Sequence, residues 1–333
     1  MQFGVSLSGM GQQPIEADMR QSFQEIVEYI RTARGMGFDF LYQGQHYLTS
    51  PYQQLQTVPL LARLAAEAEG MGMVATLLVP LHHPVDLAER VTTMDIITNG
   101  RFHLSAALGY RDEEYDAFGL PRNRRVSRYL ECIDVMRKLW TQDEVTFHGE
   151  HFHLEGAQMT IRPIQQPHPP IWVAANGDAA IKRAARRGLP WYVNPHATYT
   201  NIKQQIELYH ETAEAAGSGA PKELPIAREL YVGETREQAW QDAAPFLGGK
   251  YAAYAQWGQD KAMDEEFSSA FEELARDRFI IGDPEDCIGE IEKLRELGMS
   301  HGSFRMMWPG MDLRRGLRNL ELFADRVMPH FRE

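Results

Sequence analysis

Five times along this chain a helical pattern stops at a glycine and an apolar, strand-like run begins. The junctions are Met36-Gly37-Phe38, Met71-Gly72-Met73, Asn99-Gly100-Arg101, Arg187-Gly188-Leu189 and Leu297-Gly298-Met299. Glycine suits the left-handed position just past a helix, where a β-carbon would clash with the backbone. A switch of hydrophobic period at each glycine marks a chain that alternates helices with strands. Strands are predicted near 2–8, 38–43, 73–79, 101–107, 171–175, 189–193, 226–232 and 302–307. Helix starts agree: Asp283-Pro284-Glu285-Asp286 offers a cap, a first-position proline and first-turn acids, and Thr235-Arg236-Glu237-Gln238 reads as a capping box.

Eight strands with helices between them close naturally into a (β/α)8 barrel. An open doubly wound sheet is the alternative, weakened because no Gly-x-Gly-x-x-Gly follows the first strand. A plain barrel needs about 250 residues. The 333 residues therefore make one domain, 1–333, with insertions near 141–170 and 248–280. Both are expected at the C-terminal face of the strands, the second as a lid carrying Tyr251, Tyr254 and Trp257.

Charge and composition narrow the function. Lys+Arg number 34 against 46 Asp+Glu, a net −12, which speaks against nucleic acid as a partner. The longest apolar runs, such as 73–81, are too short to span a bilayer. Residues 1–5 lack signal-peptide character, and Cys132 and Cys287 imply no disulfide framework. A cytoplasmic enzyme is the expectation.

In a barrel, chemistry lies just past the strand C-termini. His46, after the second strand, can move a proton near neutral pH. His82 and His83 are adjacent and diverge, and His148, His151 and His153 lack a companion motif, so no metal is expected. After the fifth strand, 174–181 combines small residues with a helix start, either an anion-binding turn or an ordinary tight βα turn. No nucleophile elbow or P-loop lysine is present.

An ordered set of short motifs adds to this: Phe3-Gly4-Val5, Gly37-Phe38-Asp39, Val79-Pro80, His83-Pro84-Val85, Leu87-Ala88-Glu89 and Asn99-Gly100-Arg101-Phe102. Gly109-Tyr110-Arg111-Asp112-Glu113-Glu114-Tyr115, Phe118-Gly119, Leu139-Trp140, Pro169-Pro170-Ile171, Gly282-Asp283-Pro284-Glu285 and Val327-Met328-Pro329 complete it. Together they resemble the bacterial luciferase-like family of flavin-dependent monooxygenases. The resemblance implies a TIM-like barrel and reduced FMN at its mouth, supplied by a separate NAD(P)H-dependent flavin reductase by diffusive transfer. It implies reaction with O2 through a C4a-peroxyflavin to oxygenate a small organic substrate.

By the same resemblance His46 is the catalytic histidine, and Ala75-Thr76 marks a place where the family often has a non-prolyl cis peptide. The flavin would be held by Ala75, Thr76, Leu108, Gly109, Tyr110, Ala174 and Ala175, and its phosphate by Asn176, Gly177, Asp178, Ala180 and Arg128. Leu108 stands where luciferase catalytic chains have an arginine, Ala107 where they have a cysteine, and Gln45 where they have an acid. The lining loops show no charge cluster that selects a substrate. Alternatives are hydride transfer with a deazaflavin and a non-catalytic flavin-binding protein. The helices predicted at 57–70, with Ala62, Ala65, Ala66 and Ala68, and at 86–98 match the elements that pair subunits in that family, so a homodimer is expected.

Overall fold

The computed structural model describes residues 1–219, 221–263, 267 and 270–332. Parts of the acidic stretch predicted within 248–280, namely 264–266, 268 and 269, lie outside the described residues. All eight predicted strands form: β1 (Gln2–Ser6), β2 (Phe40–Gly44), β3 (Gly72–Leu78), β4 (Phe102–Ala107), β5 (Ile171–Ala175), β6 (Trp191–Val193), β7 (Pro225–Val232) and β8 (His301–Arg305). Each runs parallel to the next in chain order. The ring closes between β8 and β1, with Phe3 opposite Gly302, and a single pair, Val193 opposite Ile226, joins β6 to β7. The fold is a closed eight-stranded parallel barrel wrapped by helices, not an open sheet.

Alternation along the strands sends one residue set inward and the other beneath the helices. Phe40, Tyr42, Val74, Trp172, Ala174, Tyr192 and Ala227 pack together inside the barrel. Tyr42 stacks on Tyr192 with ring centres 5.2 Å apart, and Trp172 on Tyr192 at 5.9 Å. This aromatic plug fills the middle of the barrel and separates the larger space above it from a smaller one of about 290 Å³ at the strand starts, beside Asp39, His103 and His301. Gly4 makes the room: a Cβ there would lie 2.3 Å from the Phe40 ring.

The outer helices are α1 (Met19–Gly35), α2 (Thr57–Leu64), α3 (Pro84–Ile97), α4 (Arg125–Thr141), α5 (Asp178–Arg186), α6 (Tyr199–Ala215), α7 (Arg236–Gln256), α8 (Pro284–Glu296) and α9 (Leu313–Leu322). Helix α2 stops at Leu64, so 65–70 is a series of turns rather than the end of a longer helix. Gly37, Gly100, Gly188 and Gly298 have φ between 62° and 96°, as their place after a helix requires. The second junction differs. Gly70 takes the left-handed φ of 89°, and Gly72 already belongs to β3. Asp283 and Asp286 cap α8 reciprocally, while at α7 the Thr235 hydroxyl accepts from Gln238 N.

The two insertions meet the barrel differently. Residues 141–170 form a hairpin, Val145–His148 against His153–Ala157, and an extended return to β5. That return is tied to the N-terminal side: Ile164 N and Gln165 N donate to Asp95, and Gln165 Nε2 to Phe102 O, the first residue of β4. The tip of the hairpin packs at the other end, on the starts of α4 and α3 beside the C-terminal ends of the strands: His151 pairs with Ser127, and Phe152 lies under the Arg128 guanidinium and 5.4 Å from the His83 ring. Residues 248–280 do follow a strand, as α7, helices Gln259–Met263 and Phe271–Ala275, and a strand Ile280–Gly282 that pairs with β7. Tyr251 and Tyr254 are buried on the inner face of α7, and Tyr254 forms part of the cavity wall. No described helix is long and apolar enough to cross a membrane.

Candidate functional site

A cavity of about 530 Å³ opens above the aromatic plug, at the C-terminal ends of the strands. His46, Thr76, Leu108, Gly109, Tyr110, Ala174, Ala175, Asn176, Gly177, Asp178 and Ala180 all line it. Ala75 and Arg128 do not. Ala75 points outward into the core beneath the helices. The Ala75–Thr76 bond is trans, since the cis bonds among the described residues are Ser50–Pro51 and Gln166–Pro167. Strand β3 holds register with both neighbours through this point: Thr76 lies opposite Gly44 and Ser105, and its carbonyl accepts Gln45 N at 2.9 Å.

His46 is held by groups distant in sequence. Its Nδ1 lies 3.1 Å from Glu114 Oε1, which also accepts Tyr47 N at 2.9 Å. Glu114 is fully buried and comes from the short helix Asp112–Ala117. A carboxylate oxygen that already takes an N–H acts as acceptor here, so Nδ1 carries the proton and Nε2 is left as an acceptor. Arg111 donates to Tyr47 O at 2.6 Å and Leu48 O at 2.9 Å, and its guanidinium stacks 4.7 Å from the Trp257 ring. Trp257 packs 5.8 Å from the His46 ring and donates to Ser50 O. The loop is thus clamped from three sides. The sequence signal for Glu114 was an acidic cluster just after a strand, which does not say which of three acids turns inward.

Gln45 has a local reason to be an amide. Its Oε1 accepts Leu78 N at 3.1 Å and faces His82 Nε2 at 3.0 Å, while its Nε2 donates to Tyr47 Oη. Burial pushes His82 down to about 4, with nearby Arg90 adding to the effect. A neutral amide therefore meets a neutral histidine. His83 turns the other way and takes Val85 N at the start of α3, so the adjacent histidines diverge as expected. His148 and His151 lie on the hairpin, paired with Glu155 and Ser127.

The opposite wall is built for an anion. Helix α5 opens into the cavity through Gly177, Asp178 and Ala179, and the first N–H groups of a helix have no intrahelical acceptor. Arg122, Arg125 and Arg183 line the same wall. Arg125 Nε is buried with no partner, and burial beside Arg122 lowers the guanidinium's proton affinity. An unpaired buried donor is costly, and a bound anion would satisfy it. Arg128 does something else: its Nε donates to Pro80 O at 2.7 Å and its guanidinium stacks 4.4 Å from the Phe152 ring. The basic residue that α4 brings to the cavity is Arg125, one helical turn earlier.

Comparison with known proteins agrees with this geometry. The family model described as luciferase-like monooxygenase matches residues 1–301. The oxygenase component of flavin-dependent trigonelline monooxygenase from Acinetobacter baylyi is 26% identical, covering 94% of this chain and 91% of the relative. F420-dependent glucose-6-phosphate dehydrogenase from Amycolatopsis mediterranei is 25% identical, over 93% and 95%. Among solved structures, monooxygenase RslO1 from Streptomyces bottropensis superposes with a TM-score of 0.84 at 25% identity, covering 99% of this chain and all of that one.

Proposed function

This chain belongs to the luciferase-like monooxygenase family and is an oxidoreductase, and from that premise we propose that it is the oxygenase of a two-component, reduced-FMN-dependent monooxygenase. One observation carries the reading: a single cavity joins a helix-terminus anion cradle to a histidine backed by a buried carboxylate. The residues fit the cofactor. The α5 N-terminus, Arg125 and Arg183 would hold the phosphate, and Thr76, Leu108, Gly109, Tyr110, Ala174 and Ala175 would flank the rest. When bound, reduced FMN supplies the two electrons of the reaction: one oxygen atom of O2 enters the substrate, the other leaves as water, and the flavin is oxidised.

The protein's own contribution is position and a proton. Glu114 fixes the His46 ring so that Nε2 accepts or returns a proton at the substrate. Trp257 and Tyr254, stacked 5.3 Å apart, cover this end of the cavity against water. The flavin would arrive reduced from a separate reductase. Two copies of the chain would pair along α2 and α3, where Ile96 and Ile97 remain 43% and 46% exposed.

A second reading, hydride transfer from a deazaflavin, draws on the three arginines at the cradle, which also suit a longer anionic tail. Oxygen-18 incorporation, screened over a panel of small organic substrates with a flavin reductase present, tests the proposal. Labelled product that falls about a hundredfold with His46→Ala is expected. No labelled product under any condition, with turnover of the reduced deazaflavin instead, would establish the second reading.

A further inference from the structure

The cavity has a second polar end, away from the phosphate cradle, and its charges do not balance. Glu229, on β7, accepts Lys250 Nζ at 2.5 Å, Arg305 Nη1 at 3.2 Å and Trp308 Nε1 at 2.6 Å. All four residues are buried, so two basic side chains share one carboxylate away from water. A buried cation without its own counterion is costly. The surroundings register the shortage: burial and the neighbouring Arg305 push Lys250 down to about 7 despite its contact with Glu229. His196 lies well below the ordinary histidine value, through burial and then through Arg305, Lys250, Arg278 and Arg228.

Two donors in the cavity wall are also unused. Arg305 lines the cavity, is nine-tenths buried, and its Nε has no partner. Asn194 lines it too: its Oδ1 accepts His196 N and Ala197 N, while its Nδ2 is buried and unpaired. Tyr42 and Tyr192 form a stacked aromatic floor beside them. A planar anionic ligand would satisfy all of these at once, by pairing with the guanidinium, taking the amide N–H and lying on the rings.

We propose that this end of the cavity is the substrate subsite and that it selects an aromatic carboxylate, with Arg305 and Asn194 holding the carboxyl group. The assignment rests on the reading above, in which the cradle at α5 takes the flavin phosphate and leaves this end to the substrate. The charged cluster lies outside the lining loops, with Glu229 and Arg305 on strands and Lys250 on α7. Glu229, Lys250 and Arg305 are scattered over the sequence, and each alone reads as a surface charge.

The test is binding of benzoate, benzenesulfonate and benzamide to the protein loaded with reduced FMN under anaerobic conditions. Benzoate should bind at least about tenfold more tightly than the neutral benzamide, the difference expected of one charge-assisted contact. Arg305→Gln and, independently, Asn194→Leu should remove that preference while leaving the Kd for reduced FMN within about twofold. Arg305→Lys should restore part of it. Equal binding of benzoate and benzamide to the wild-type protein overturns the proposal, whether or not either variant folds. Tighter binding of benzenesulfonate than benzoate overturns the carboxylate assignment. If Arg305→Gln weakens FMN instead, this end belongs to the cofactor and the proposal falls. Failure of the flavin reading is separate: the protein would then bind no FMN, while benzoate binding to the unloaded chain would still depend on Arg305.

Discussion

Glu114 has one oxygen taken by Tyr47 N and His46 Nδ1, while its Oε2 is buried without a partner. Such an arrangement costs stability and persists because the loop around it is clamped. Its effect on chemistry runs through His46. Glu114→Gln keeps the volume but weakens the hold on the Nδ1 proton. It should lower kcat by about tenfold or more with KM little changed, and shift the pH profile of kcat. A parallel rise in KM with kcat intact would place Glu114 in binding instead. Arg125 and Arg128 give a second contrast. Arg125→Ala should weaken reduced FMN by about tenfold or more, as loss of a charge-assisted phosphate contact does, whereas Arg128→Ala should leave that Kd nearly unchanged. The opposite order would restore the sequence-based choice. A helix rises about 4.5 Å in three residues, and nothing in Arg125-Val126-Ser127-Arg128 says which of its arginines reaches the strand ends.

Elements were more legible than residues. A strand declares itself through period and through the glycine that ends the helix before it, both local properties of the chain. That is why eight strands could be placed from sequence, with ends shifted by only a few residues. Capping is equally local. Asp283→Ala removes one half of the reciprocal cap on α8 and should cost about 1 kcal/mol, read as a lower urea midpoint at constant slope. An unchanged midpoint would mean that packing alone defines this helix start. What stayed hidden was non-local. The 141–170 segment spans both ends of the barrel, its hairpin on the starts of α3 and α4 and its return on Asp95 and Phe102, contacts that no local pattern announces. Glu229 does carry a local signal: it shares inward parity with Ala227 on β7 and therefore faces the barrel interior.

At the scale of the whole molecule, buried histidines make stability depend on acid. His82 and His103 are both pushed down to about 4 by burial, from an ordinary value of 6.5. The unfolded chain takes up these protons below about pH 6.5 while the folded chain resists them. Stability present above that pH is therefore lost as the pH falls toward 4. At about 1.4 kcal/mol for each tenfold difference in proton affinity, the pair withdraws several kcal/mol. Urea denaturation at about pH 7 and about pH 4.5 should show the loss, and His82→Gln should reduce it; a flat profile would show that both histidines titrate freely in the folded chain. The barrel itself separates its two ends, since the Phe40, Tyr42, Trp172 and Tyr192 plug divides the smaller space at the strand starts from the larger cavity where His46 and the α5 N-terminus meet. Anaerobic titration of the protein with reduced FMN, set beside the reduced deazaflavin, tests that account most directly. One reduced FMN per chain, bound at least about tenfold more tightly than the deazaflavin and weakened by Arg125→Ala, is the predicted result. Preference for the deazaflavin, or FMN binding indifferent to Arg125, would contradict it.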